Sequence, residues 1–281
     1  MQVTLVTPSH RGDYERFAFL RESMAACDID LPQVAIVPAR DVPRFEAVPD
    51  RHRLTVVAEG EVLPRGATAR LVERLARRDI TGWERQQLIK LAAYRVVDDP
   101  TWVCVDSDVF FLRPVTAETL ALGATRPLLL ELRDFPIGPE PTAFRRASAR
   151  LLGLDPNRLD PALTYTAWLV PLHGSVVREL LDFLDRRQDL PWWRAMTAGS
   201  ATEYETYGLF ARHIHGLAAL DAADRRTCWL FYSTAQFPDR LARARDRHGV
   251  SAAMVHSRLD CDWSAVQDAV RSLWRRPQPG G

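Results

Sequence analysis

Two stretches of the chain place carboxylates where a folded protein normally avoids them. The first is Trp102-Val103-Cys104-Val105-Asp106-Ser107-Asp108-Val109-Phe110-Phe111, where an apolar run ends in two acids one residue apart and a second apolar run follows at once. Bounded upstream by Asp98-Asp99-Pro100, the run reads as a strand buried on both faces inside a parallel sheet. Charge is disfavoured within such a strand. It is tolerated at the carboxyl end, where open α/β sheets keep their ligand crevice and a bound cation offsets two negative charges. Asp106 and Asp108 are therefore candidate ligands of a divalent metal ion, next to a phosphate-bearing compound.

The second stretch is Thr202-Glu203-Tyr204-Glu205-Thr206-Tyr207-Gly208, ahead of the apolar run Leu209-Phe210-Ala211. Thr202 with Glu205 three residues on makes a helix-capping box, which accounts for these residues structurally. In a crevice, Glu203 or Glu205 would instead orient or deprotonate a substrate hydroxyl. Farther on, the short apolar run Ala252-Ala253-Met254-Val255 ends in His256. A lone histidine is more often structural, yet two carboxylates leave a divalent cation short of ligands and imidazole suits manganese.

These residues need a scaffold, and the pattern supplies one. Gln2 to Thr7 reads as a first buried strand, Pro8 to Asp13 as the loop leaving it, and Tyr14 to Met24 as a helix. In a doubly wound sheet that loop flanks the crevice, so His10, Arg11 and Asp13 either hold a ribose or base or form a solvated turn. Gln33 to Pro38 and Thr55 to Val57 read as further strands, with Asp41 just after the first of them. Alternation of short strands with helical stretches predicts a βαβ architecture.

Ala67 to Arg78 reads as a basic amphipathic helix broken by Thr81-Gly82-Trp83, and Glu84 to Val97 as the helix entering the acidic strand. Trp83, Gln87, Lys90 and Leu91 fall along one stripe of it. Gln87 and Lys90 thus either point into the crevice or, with Gln86, form a solvated face over a core of Leu88, Leu91 and Ala92. Strands are expected at Pro127 to Leu132 and Tyr165 to Val170, and a helix at Ser175 to Arg187. Pro136, Gly138, Pro139 and Pro141 argue against any regular element from Arg133 to Phe144, which leaves a lid, a binding loop or a surface excursion. Trp192 and Trp193 are either core aromatics or a stacking surface for a sugar ring.

The totals exclude several classes. With 281 residues, 26% charged residues and a net charge of +1, the chain carries no overall electrostatic signal for nucleic acid or an anionic membrane. Of its 37 basic residues all are arginine except Lys90, a bias expected of a GC-rich bacterial coding background. Cys27, Cys104, Cys228 and Cys261 are far apart and include no CxxC pair, so free thiols of a reducing compartment are expected. No signal peptide and no membrane-spanning segment is evident, which predicts a soluble, cytoplasmic protein. A single domain over 1–274 and a disordered tail over 275–281 are expected.

Taken together, Val3-Thr4-Leu5-Val6-Thr7-Pro8-Ser9, Gly82-Trp83 with Gln86-Gln87-Leu88-Ile89-Lys90, Val105-Asp106-Ser107-Asp108 with Arg113-Pro114, and Glu203-Tyr204 with Tyr207-Gly208 resemble GT-A-fold glycosyltransferases. More narrowly, they resemble a bacterial glycosyltransferase-like family of domains of unknown function with a DxD motif. The resemblance implies an α/β, GT-A-like (Rossmann-like) fold with a mostly parallel sheet flanked by helices. It also implies transfer of a sugar from a UDP- or GDP-sugar, with Mn²⁺ or Mg²⁺, to an acceptor that is a glycan, a small molecule or a natural product. By the same resemblance Asp108 binds the metal, Asp106 contacts ribose or metal, and His256 is a further ligand. Thr7, Pro8, His10, Arg11 and Asp41 hold the nucleoside, Lys90 contacts the diphosphate or donor sugar, and Gln87 and Ser107 complete the nucleotide-sugar site. Glu203, then Glu205, is the candidate base of an inverting enzyme. Two other readings are a noncatalytic nucleotide-sugar or glycan-binding protein of this fold, and a phosphatase of the haloacid-dehalogenase type, which also carries DxD after a strand.

Overall fold

A computed structural model describes residues 2–64, 66–77, 81–120, 129–133, 139–221, 228–231, 237–247, 250–256 and 259–275. Four parallel strands form the centre: β1 (Thr4–Pro8), β2 (Gln33–Val37), β3 (Leu54–Ala58) and β4 (Thr101–Cys104). Three more strands follow before the sheet is complete: β5 (Val109–Phe111), β6 (Leu129–Arg133) and β7 (Leu163–Thr164). The next, β8 (Val170–His173), pairs antiparallel with β4, so the central sheet runs β3-β2-β1-β4-β8. After β1 the chain builds outward on one side, and β4 then lands on the other. The crevice of such a sheet opens where the order reverses, between the carboxyl ends of β1 and β4. A hydrogen bond from the Val105 N–H to the Val6 carbonyl at 2.9 Å carries this pairing to the brink of Asp106.

The strands form because their apolar residues are covered on both faces. Val6, Ile36, Trp102 and Cys104 pack on one side with the helices Gly82–Ala92, Gly174–Arg187 and Glu203–Phe210. Val3, Leu5, Ala35, Val37, Val103 and Val105 pack on the other with the helix Tyr14–Ala26. This fulfils the expectation of a mostly parallel sheet between helices.

After Asp108 the chain changes sheet. β5 pairs antiparallel with β11 (Ala252–Val255), which pairs parallel with β10 (Cys228–Phe231). The two acids thus sit in the connection between two sheets, and the Val255 N–H donates to the Asp108 carbonyl at 3.3 Å, which sets His256 beside the motif. A third small sheet has β6 between β7 and β9 (Ala219–Asp221).

Three expectations need correction. Tyr165 to Val170 is not one strand: regular pairing resumes only at Val170, and Leu169 has φ 72°, so Tyr165 to Leu169 form an irregular crossing segment. The prolines after Arg133 do not forbid a helix, because Pro139–Leu152 is one. Pro139 and Pro141 fall in its first turn, where an N–H has no acceptor four residues back to lose. Residues 134–138, the rest of that expected loop, and the tail 276–281 lie outside the described residues. Lastly, the basic helix ends at Ala76, but Gly82 and Trp83 belong to the second helix, which runs Gly82–Ala92 rather than Glu84 to Val97. Thr81 caps it, accepting from the Glu84 N–H at 3.2 Å while Glu84 accepts from the Thr81 N–H at 2.6 Å.

All four cysteines are free, as expected. Among the described residues no helix is long and apolar enough to cross a membrane.

Candidate functional site

The helix Glu203–Phe210 is buried along its whole length, which is why its sequence shows no polar face. Gly208 is what lets it seat: a Cβ there would lie 2.0 Å from Cγ of Tyr165, so the helix and the crossing segment meet only at a glycine. Its first turn forms a wall of a pocket of about 420 Å³ at the carboxyl ends of β1 and β4. Pro8 and His10 from the first loop, Lys90, the three residues Asp106, Ser107 and Asp108, Glu203 and His256 all face this pocket. Ser107 donates its hydroxyl hydrogen bond to Ser9 at 2.8 Å, which latches the acidic turn to the first loop.

Lys90 is the electrostatic centre of the wall. Its Nζ lies 2.8 Å from Asp106 Oδ1, 3.1 Å from Glu203 Oε1 and 4.8 Å from the centroid of the Tyr204 ring. Burial alone would lower its pKa, but Asp106, Tyr204 and Glu203 outweigh that and hold it well above an ordinary lysine, so the ammonium stays charged. Glu203 is pushed upward by burial, with Lys90 opposing. Negative charge also gathers on the far side: Cys228 is held well above the usual thiol range, first by burial and then by Asp108 and Asp106.

The stripe of Gln87 and Lys90 is therefore not a solvated face, since both side chains are buried by the Glu203 helix. Gln87 Oε1 accepts from the Glu203 N–H at 3.2 Å, so this helix is capped from another helix. The expected capping box is absent: Thr202 makes no side-chain cap bond, and its buried Oγ1 and the Gln87 Nε2 have no hydrogen-bond partner. Gln87 supports the wall from behind, while its neighbour Gln86 faces the pocket.

Several sequence candidates lie elsewhere. Thr7 is fully buried and accepts from Gln33 Nε2 at 2.8 Å. Asp41 is buried and accepts from the Arg11 N–H at 3.0 Å, so this pair braces the loops after β1 and β2 without lining the pocket. Glu205 does not line it and gathers the Tyr165 N–H and the hydroxyls of Thr164 and Thr166, with Arg145 close by. It is a clamp on the crossing segment rather than a base. Burial raises its pKa above 4.5 against these partners. Between 4.5 and the raised value the folded chain binds more protons than the unfolded one, so its contribution to stability grows as pH falls through that window. Glu205→Gln should flatten that part of the pH–stability curve. Glu205→Ala should cost about 2–4 kcal/mol in chemical denaturation, because it strands two buried donors, the Tyr165 N–H and the Thr164 hydroxyl, and the half-buried Thr166 hydroxyl.

Two other pocket residues, Phe144 and Trp168, escaped the sequence, whereas Trp83 lies on the stripe already read with Gln87 and Lys90. Trp83 (42% exposed), Phe144 and Trp168 form an aromatic rim, with the Trp83 and Phe144 rings 5.2 Å apart. The signal for Trp83 was a large aromatic beside a helix cap, where it stays half in water. Trp192 and Trp193, by contrast, are core.

For a divalent cation the donor chemistry fits in part. Asp106 and Asp108 are hard oxygen donors on one wall and His256 faces the same space. Among the described residues no three His, Cys, Asp or Glu side chains close around one point. A cation there would take its remaining ligands from a bound phosphate compound and would share Asp106 with Lys90.

A model of a family of unknown function, DUF6492, matches residues 1–263. No curated protein matches the chain. Among solved structures, the apo form of mouse xyloside xylosyltransferase 1 is similar with TM-score 0.51 at 8% identity, over 93% of this chain and 100% of that one. The galactosyltransferase LgtC, in complex with donor and acceptor sugar analogs, gives TM-score 0.46 at 8% identity over 96% and 95%. The xylosyltransferase likeness concerns the fold, which is GT-A-like.

Proposed function

The chain belongs to DUF6492, a family of unknown function, so its activity is read from the pocket itself, and we propose a glycosyltransferase that uses a nucleotide-sugar donor. The observation that carries this is the meeting of Asp106, Asp108, Lys90 and Glu203 in one pocket at the strand-order reversal of a GT-A-like sheet. Residues 1–274 would act as one domain. The donor is a UDP- or GDP-sugar and the acceptor a glycan, small molecule or natural product.

Pro8, His10 and Ser107 flank the nucleoside end. Mn²⁺ or Mg²⁺ would be held by Asp106 and Asp108, with His256 beside them, and when bound would neutralise charge on the departing diphosphate. Lys90 places a permanent positive charge at the same wall and fixes Asp106 and Glu203 relative to each other. Glu203 takes the proton of the acceptor hydroxyl in an inverting reaction, or orients that hydroxyl in a retaining one. Burial, opposed by Lys90, raises its pKa above that of an ordinary carboxylate and so makes it the stronger proton acceptor. Trp83, Phe144 and Trp168 offer flat apolar faces for a sugar ring at the mouth.

A phosphatase of the haloacid-dehalogenase type is disfavoured, because its motif follows the first strand of the domain, whereas Asp106 follows the fourth strand here. Incubating the intact protein with UDP- and GDP-sugars in Mn²⁺ and assaying released nucleoside diphosphate tests the proposal. Release supports an enzyme, and binding without release supports a noncatalytic binding protein. Phosphate release from simple phosphomonoesters would replace both with the phosphatase.

A further inference from the structure

The basic helix Ala67–Ala76 has no part in the donor pocket, yet it borders a second concavity of about 410 Å³ with the helix Trp192–Thr197. Arg70, Arg74 and Arg77 lie three and four residues apart and so share a face, and Arg194 approaches from the opposite helix. The one carboxylate among the lining residues, Glu73, is committed to Arg77. Arg74 is fixed by donating to the Thr197 hydroxyl at 2.6 Å, and Arg194 by resting 5.2 Å over the Trp193 ring. Neither anchor neutralises charge. Among the described residues Arg70, Arg74 and Arg194 pair with no carboxylate, in a chain whose net charge is only +1.

Three uncompensated guanidinium groups facing one cleft concentrate positive potential there. Their planar forks match the oxygens of a phosphoryl group, which accepts paired hydrogen bonds. We propose that this cleft is a second ligand site that takes a phosphate-bearing compound, independently of the transferase reading. The compound is either a soluble phosphate ester or the headgroup of an anionic lipid, for which the 42% exposed Leu190 on the rim would supply apolar contact.

The test titrates the full chain, in EDTA, with inorganic pyrophosphate by calorimetry. In parallel it is co-sedimented with vesicles of phosphatidylglycerol in phosphatidylcholine and of phosphatidylcholine alone. Binding of pyrophosphate identifies a soluble ligand, and binding only to the anionic vesicles identifies a headgroup; either supports the site. Arg70→Gln with Arg194→Gln, which leaves the Arg74 bond to Thr197 intact, should weaken that binding about tenfold or more. Arg51→Gln with Arg158→Gln, two exposed arginines outside the cleft, should not. The proposal is overturned if neither probe binds, if the cleft variant binds like the parent, or if the control variant loses as much.

Discussion

Asp108→Asn is expected to abolish cation-dependent binding of a nucleoside diphosphate while the chain still folds. Asp108 is only 6% exposed, in the turn joining β4 to β5, where its backbone carbonyl already accepts from Val255. The amide keeps that shape and loses the charge. Loss of a carboxylate ligand should weaken UDP or GDP binding in Mn²⁺ by about a hundredfold or more, roughly 3 kcal/mol. Calorimetry measures the affinity, and thermal denaturation should give a midpoint close to that of the parent. Parental affinity in the variant would remove Asp108 from the site.

Lys90→Met is expected to have a comparable effect by another route. The ammonium is the shared partner of Asp106 and Glu203, and Glu203 is almost wholly buried. Removing one partner from a buried ionic cluster leaves an uncompensated charge, typically at a cost of about 3–5 kcal/mol. Chemical denaturation should show that loss, together with loss of nucleotide binding. Adding Glu203→Gln removes the stranded carboxylate, so the double variant should recover most of the stability and none of the activity. Lys90→Arg should not substitute, because a guanidinium is bulkier than the buried ammonium that already touches both carboxylates, and overpacking costs about 1–3 kcal/mol. A Lys90→Met protein as stable as the parent would contradict this arrangement.

The legibility of this protein in its sequence follows from how far each residue's environment is local. Asp106 and Asp108 are legible because a long apolar run ending in two acids puts charge where only a crevice or a bound cation tolerates it, and the order of strands and helices indicates the fold class. Gln87 and Lys90 are ambiguous because helical periodicity cannot tell a solvated polar face from one covered by another helix 113 residues away, as Lys90 is covered by Glu203. Glu205 misleads for the same reason: its spacing from Thr202 satisfies a capping pattern, but tertiary partners from Tyr165 and its neighbours claim the carboxylate. Tyr165 to Val170 has strand composition and still breaks: Leu169 sits at positive φ, and Thr166 and Trp168 before it line the pocket instead of pairing in a sheet. Pro139 and Pro141 read as breakers because the start of the helix they belong to is not visible without the fold.

If Asp106 and Asp108 mark a donor-diphosphate site, nucleotide sugars must stabilise the chain through a divalent metal, and a thermal-shift panel measures this directly. The panel sets UDP- and GDP-sugars against the full chain in Mn²⁺, in Mg²⁺ and in EDTA. At a concentration a hundred times the dissociation constant, a bound ligand adds about 2.7 kcal/mol. At least one nucleotide sugar should raise the midpoint by several degrees in a divalent metal, and EDTA should remove the shift. No stabilisation by any nucleotide sugar in either metal, or a shift that persists undiminished in EDTA, would contradict the assignment.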